Sequence, residues 1–243
     1  VETSAGGRET IPLETTVAEF YASVLAAFER LGMPVSIDPR PSEIVGAVRF
    51  DDDTDHGPYD PAHARLMLRA MLDSERVMSR FRAGFLGKAS PVHLYWGGFD
   101  LAAYRYSGQT APPHPGVDAP NFPPDVAAES YTHECTAVGL WLGTRELPVP
   151  GYFAYTYPAP DGIAGAPLEP AAASWNEAGG SFSLPYEAVR TADDPDATLL
   201  AFFESTHAAG ADLLGWDRAA LELAPPKGAD WWRSRSRRAA RGS

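Results

Sequence analysis

Cysteine occurs once, at Cys135, which excludes an internal disulfide and any Cys-cluster metal site. No run of about 20 apolar residues exists, so no membrane-spanning helix is expected. The chain opens with no charged segment followed by an apolar one, so no secretory signal is read there and the expected location is the cytoplasm. Positive charge is scarce. The formal net charge is −12, and six basic residues against one acidic residue fall at 227–243, leaving −17 on residues 1–226. An acidic body of this kind repels phosphate backbones, so nucleic acid is not expected as its partner.

Recognisable chemical motifs are missing as well. GKAS at 87–90 has the ending of a phosphate loop, but Arg82 stands where the loop needs glycine. His133-Glu134 starts like a zinc-protease helix, but Ala137 stands where the second histidine belongs. The acidic run at 51–56 has calcium-like spacing without the closing glutamate, and it reads as a solvated loop. No residue pattern names a cofactor.

What is abundant is proline (23), glycine (22) and aromatic side chains (6 Trp, 10 Tyr, 11 Phe) in 243 residues. The aromatic residues supply a core, while the Pro and Gly content implies many turns and rules out an all-helical bundle. Residues 1–226 read as one domain, and 227–243, with Trp231 and Trp232, as a basic, disordered tail. Thr16 and Glu19 form a capping box that opens an amphipathic helix stopped at Gly32. Asp60 and Pro61 start a second helix running to about Phe85, and Asp194-Pro195 starts a third, ending at Gly215. Strands are expected at 9–13, 43–50, 92–96, 101–106, 129–142, 151–157 and 181–184. The resulting fold class is α+β, a mainly antiparallel sheet with three amphipathic helices. A weak echo links IPLE at 11–14 and its helix to LPYE at 184–187 and its helix. It admits two related sheet-plus-helix lobes.

Candidate site residues come from face arithmetic, because successive strand side chains point to opposite faces. Tyr131, His133, Cys135, Gly139 and Trp141 share one face of the 129–142 strand, and the opposite face becomes apolar enough to meet a core. A hairpin turning at Gly98-Phe99 sets His93 opposite Tyr104. It collects His93, Tyr95, Tyr104 and Tyr106 on one face, with Arg105 on the other and Asp100 at the tip. If their strands pair, His93 and His133 can meet. With Glu134, Asp100 or Glu129 they would bind a divalent metal or do acid–base work. The plainer reading is two histidines bonded to tyrosines on a half-buried face. Cys135 two positions from His133 suggests a thiol–base pair, against the plainer reading of a small buried hydrophobe.

The stretches SPVHLYWGGFDLAAYRYSGQTAP (90–112), ESYTHECTAVGLWLG (129–143) and YFAYTYPAP (152–160) resemble a bacterial family of unknown function, numbered 5996 among the domains of unknown function. The resemblance rests on Ser90, Pro91, His93, Trp96, Gly97, Phe99, Asp100, Leu101, Arg105, Ser107, Gly108, Ala111, Pro112, Tyr131, His133 and Glu134. It spans roughly 10–220. The chain departs from the pattern at Tyr104, Tyr106, Gln109 and Cys135, and Gln109 removes a positive charge. Members carry a further N-terminal sheet segment, so the resemblance implies a chain that starts late. It implies no reaction.

Two readings follow. In the first, a small polar ligand binds at the sheet surface. His93, His133 and Glu134 are then the polar or catalytic actors, Asp100 and Arg105 orient the ligand, and Trp96, Tyr104, Tyr131 and Trp141 form walls. In the second, the chain is a non-catalytic interaction module whose His/Glu/Arg network is structural.

Overall fold

The computed structural model describes residues 1–42, 44–57, 59–116, 122–143 and 148–223. The basic tail expected at 227–243 lies outside the described residues. The architecture is α+β, built on one antiparallel sheet. Its strands are β1 (His93–Tyr95), β2 (Asp100–Thr110), β3 (His133–Trp141), β4 (Gly151–Tyr157), β5 (Ser174–Asn176) and β6 (Ser181–Pro185). Their spatial order is β1-β2-β3-β4-β6-β5, so β5 forms the far edge and the chain returns to lay β6 beside β4.

Three longer helices occur among the described residues: α1 (Val17–Arg30), α2 (Pro61–Ala83) and, after shorter α3 (Pro124–Ser130) and α4 (Tyr186–Arg190), α5 (Pro195–Leu213). A short α6 (Arg218–Leu221) follows. The caps are the expected ones. Thr16 and Glu19 complete the capping box of α1, and Asp60 and Asp194 accept backbone N–H groups at the starts of α2 and α5. No helix among the described residues is long and apolar enough to cross a membrane.

Helices α2 and α5 lie side by side on one face of the sheet. Met71, Met78 and Phe81 of α2 and Leu199, Phe202 and Phe203 of α5 meet Leu101, Val138, Leu140, Ala154, Phe182 and Leu184. These strand residues are the even or odd positions that alternation assigns to a single side. Close approach is possible because Gly210 of α5 rests on Thr156 of β4, where a β-carbon would lie 2.9 Å from Thr156 Cγ2. Arg76 and Arg80 clamp the two helices through Asp196.

Several expectations are corrected. Residues 9–13 and 44–50 form no strand; the former carries Pro12, and their backbone contacts to other segments stay isolated, Glu9 bonding Val1 and Phe50 bonding the Pro39 carbonyl, without extending into a ladder. Glu43 lies outside the described residues. Without a strand ahead of α1, and with a single sheet, the two-lobe arrangement is not formed. Helix α1 packs against loops within 1–57, and only Ala27 is fully buried. The 129–142 strand starts at His133, because Pro123-Pro124 begins α3, which takes Glu129. The hairpin register is two residues off the expected one, with His93 opposite Ala102 and Tyr95 opposite Asp100. A two-residue shift leaves every side chain on its expected face, whereas a one-residue slip would have inverted them.

Candidate functional site

Among the described residues, the sheet face opposite α2 and α5 carries no long helix. Its middle row is made of small residues: Ala102, Ala137 and Gly139 occupy neighbouring positions on β2 and β3. Larger rings from both sides lie over this row. Gly139 is the tightest point, because a β-carbon there would overlap the Phe153 ring and sit 2.7 Å from the Leu101 carbonyl oxygen. The strands thus use small residues as a floor for aromatic walls.

Two hollows open on this face and share Gly98, Asp100 and Tyr104, forming one trough. The larger, about 600 Å³, runs toward the β5 edge. Tyr104, Trp141, Phe153 and Tyr155 line one side, and Ser174, Asn176, Ser181 and Ser183 line the other. The smaller, about 480 Å³, lies between the hairpin and α3, among Tyr95, Trp96, Tyr106, Phe122, Val126 and Tyr131.

The phenols of the walls are joined. Tyr155 Oη is 2.9 Å from Tyr104 Oη and 2.9 Å from Tyr131 Oη. Burial pushes the Tyr104, Tyr131 and Tyr155 phenols up from their ordinary range, and Tyr106 up to about 12. These groups are therefore neutral at physiological pH and serve as hydrogen-bonding walls. Burial, and then the Asp100 carboxylate, raise Tyr95, so the Asp100 charge is felt inside the trough.

The expected site residues divide. Asp100, Tyr104 and Trp141 line the larger hollow, and Trp96, Asp100, Tyr104 and Tyr131 the smaller. Trp96 sits on the hairpin tip, 81% exposed.

His93 and His133 do not meet. Their strands flank β2 on opposite sides, and their β2 partners, Ala102 and Thr110, are eight positions apart. That is roughly 25 Å along a strand, far beyond the span of one metal's ligands. His93 packs edge-on to Tyr95, and His133 bonds the Thr132 hydroxyl beside a small recess near Lys88 and Glu129. Glu134 accepts from the Ser107 hydroxyl at 3.0 Å. Among the described residues, no group of three or more His, Cys, Asp or Glu side chains is arranged to hold a metal.

Arg105 lies on the helix-covered face and is 1% exposed. Its guanidinium carbon stands 3.4 Å from the centre of the Phe81 ring, and it donates to the Phe81 carbonyl and to Glu204 at 3.3 Å. It does not reach the trough. Cys135 is buried as well, and burial pushes its thiol up to about 12, which removes the thiolate a nucleophile needs.

The β4 rings and the serine row on β5 and β6 were absent from the expected site. The alternation of GYFAYTY does put Phe153, Tyr155 and Tyr157 on one face. Nothing local states that this face adjoins Tyr104. The chemistry available in the trough is stacking, hydroxyl hydrogen bonding and one carboxylate. Among the described lining residues of the two hollows there is no histidine, lysine, arginine or cysteine.

A family model described as a family of unknown function (DUF5996) matches residues 1–223. No curated protein and no solved structure matches the chain.

Proposed function

The chain belongs to the family of unknown function DUF5996, and we propose that it binds a small polar molecule in the aromatic trough on the open face of its sheet. One observation carries this reading. A hollow of about 600 Å³ has aromatic rings on one side and hydroxyl and amide groups on the other, on the face that α2 and α5 leave uncovered. That volume and that mixture of apolar walls with a few polar groups suit a drug-sized ligand. The function is binding; the acid–base version loses its support because the two histidines stand apart and neither lines the trough.

The structural reading has its own support for two residues. The Arg105 guanidinium bonds Glu204 and the Phe81 carbonyl through its terminal nitrogens and is buried away from the trough, and Glu134 accepts from Ser107, contacts that support a fold-holding role for both.

The test is a thermal-shift screen of ring-containing polar fragments, repeated on Trp141→Ala and Tyr104→Leu. A fragment present at 100 times its Kd stabilises the native state by about 2.7 kcal/mol. For a chain of this size that is a shift of roughly 5–10 °C. Hits should lose their shift in both variants. Hits that persist unchanged in both refute the assignment.

A further inference from the structure

Resting on the ligand-binding reading, we infer that the larger hollow of the trough takes a neutral saccharide, its C–H face against the ring wall and its hydroxyl rim on the serine row of β5 and β6. The two sides of the hollow ask for both features in one ligand. A wholly apolar ligand would strip water from the hydroxyl and amide groups and return no hydrogen bonds to them. A sugar ring carries C–H groups on its faces and hydroxyls around its rim.

The sheet register sets the spacing. Phe153 stands opposite Ser183 across β4 and β6, and Ser183 stands opposite Ser174 across β6 and β5. Two strand spacings separate Phe153 from Ser174, roughly 10 Å. The next line of the same face, about 7 Å along the strands, holds Tyr155 and the facing pair Ser181 and Asn176. A β-carbon at Gly139 would overlap the Phe153 ring, so that ring leans over β3 and away from the serines. Tyr155 runs nearly parallel to it, with ring planes 12° and centroids 6.2 Å apart. The rings thus form a wall with the serine row at its foot.

The row is equipped to answer hydroxyls. Ser174 Oγ and Ser183 Oγ are 3.2 Å apart, and that bond uses only one O–H of the pair. The Asn176 carboxamide oxygen accepts from the Gly179 N–H at 3.2 Å, which makes the other end of the amide the donor. A serine hydroxyl both donates and accepts, as a sugar hydroxyl does. Ser174 and Asn176 are exposed and Ser181 and Ser183 half-buried, so solvent reaches the row and a hydroxyl rim can replace that water bond for bond. On the opposite side, sugar C–H groups carry partial positive charge and meet the negative faces of aromatic rings.

The probes are the methyl pyranosides of glucose, galactose and mannose, which differ in hydroxyl orientation. Tetrahydropyran-2-methanol is the comparison ligand, because it keeps the ring and the hydroxymethyl group without the ring hydroxyls. Binding to the full chain is followed by isothermal titration and by tryptophan fluorescence. At least one glycoside is expected to bind about tenfold more tightly than the comparison ligand. The double variant Ser174→Ala, Ser183→Ala removes both ends of one bond and orphans neither hydroxyl. It should weaken that glycoside about fivefold while leaving the comparison ligand unchanged.

Equal affinities of the parent protein for glycoside and comparison ligand overturn the saccharide assignment, and that measurement needs no variant. So does an absence of glycoside binding at about 10 mM, or a glycoside affinity unchanged in the double variant. If ring-containing fragments still bind in a Trp141-dependent way, the broader binding reading survives that failure. If no fragment binds either, both fall together.

Discussion

Replacing Gly139 by alanine tests the central claim that small residues form the floor of the trough. A β-carbon at 139 would strike two neighbours: the tip of the Phe153 ring and the Leu101 carbonyl oxygen, the latter at 2.7 Å. The ring can swing away; the carbonyl belongs to the β2 backbone and cannot. Overpacking of this kind costs about 3 kcal/mol at the upper end of its usual range. Alanine recovers about 0.5–1 kcal/mol, because glycine is the poorer strand residue. The net loss is about 2 kcal/mol, a fall in melting temperature of roughly 4–8 °C. In a Phe153→Ala background only the carbonyl contact remains, and the same substitution should cost about 1 kcal/mol less. Urea denaturation of the four proteins in this cycle gives both numbers. A Gly139→Ala protein as stable as its parent, or one with the same loss in both backgrounds, refutes the packing argument.

Other consequences concern the covered face and the phenol chain. Glu204→Gln should destabilise by about 1–2 kcal/mol, since it weakens the partner of the buried Arg105 charge although that partner is itself partly exposed, whereas Arg105→Met should lie within about 1 kcal/mol of the parent; urea midpoints compare the two. Tyr155→Phe removes the hydroxyl that joins Tyr104 to Tyr131 and should cost about 1–2 kcal/mol by the same measurement. His207 is buried between Thr136 and Glu222, with Arg105, Glu204 and Arg218 nearby. Burial, reinforced by the Arg105 charge, outweighs the two carboxylates and lowers its pKa. The unfolded chain then takes up the proton first, so stability should fall as pH drops below about 6.5. At Glu222 burial alone would raise the pKa, but bonds to His207 and Arg218 bring it down to about 2. A further loss is therefore expected as pH falls from about 4.5 toward 2. A urea midpoint that stays flat between pH 7 and 5, or an unchanged slope in His207→Gln, contradicts the His207 argument.

The sequence by itself determined what depends on neighbours a few residues away. Thr16, Asp60 and Asp194 announce three helix starts because a cap bonds N–H groups within its own first turn. Alternation separated Tyr104, Cys135 and Trp141 from Arg105, Thr136 and Leu140 even though the hairpin register was two residues off, because strand parity survives an even shift. Tertiary structure alone decided which strands are neighbours and which face the helices cover. Both depend on contacts between residues far apart in the chain, and no local spacing encodes them. Bringing β4 beside β3, and β6 beside β4, set Tyr155 against Tyr104 and added the serine row. Seating α2 and α5 on the apolar face turned Arg105 from an expected ligand contact into a buried guanidinium that reaches the partly exposed Glu204 carboxylate. Placing β1 and β3 on opposite sides of β2 parted His93 from His133. A pair of histidines that looked like chemistry in one dimension became two separate exposed side chains, and the aromatic trough is the site proposed in their place.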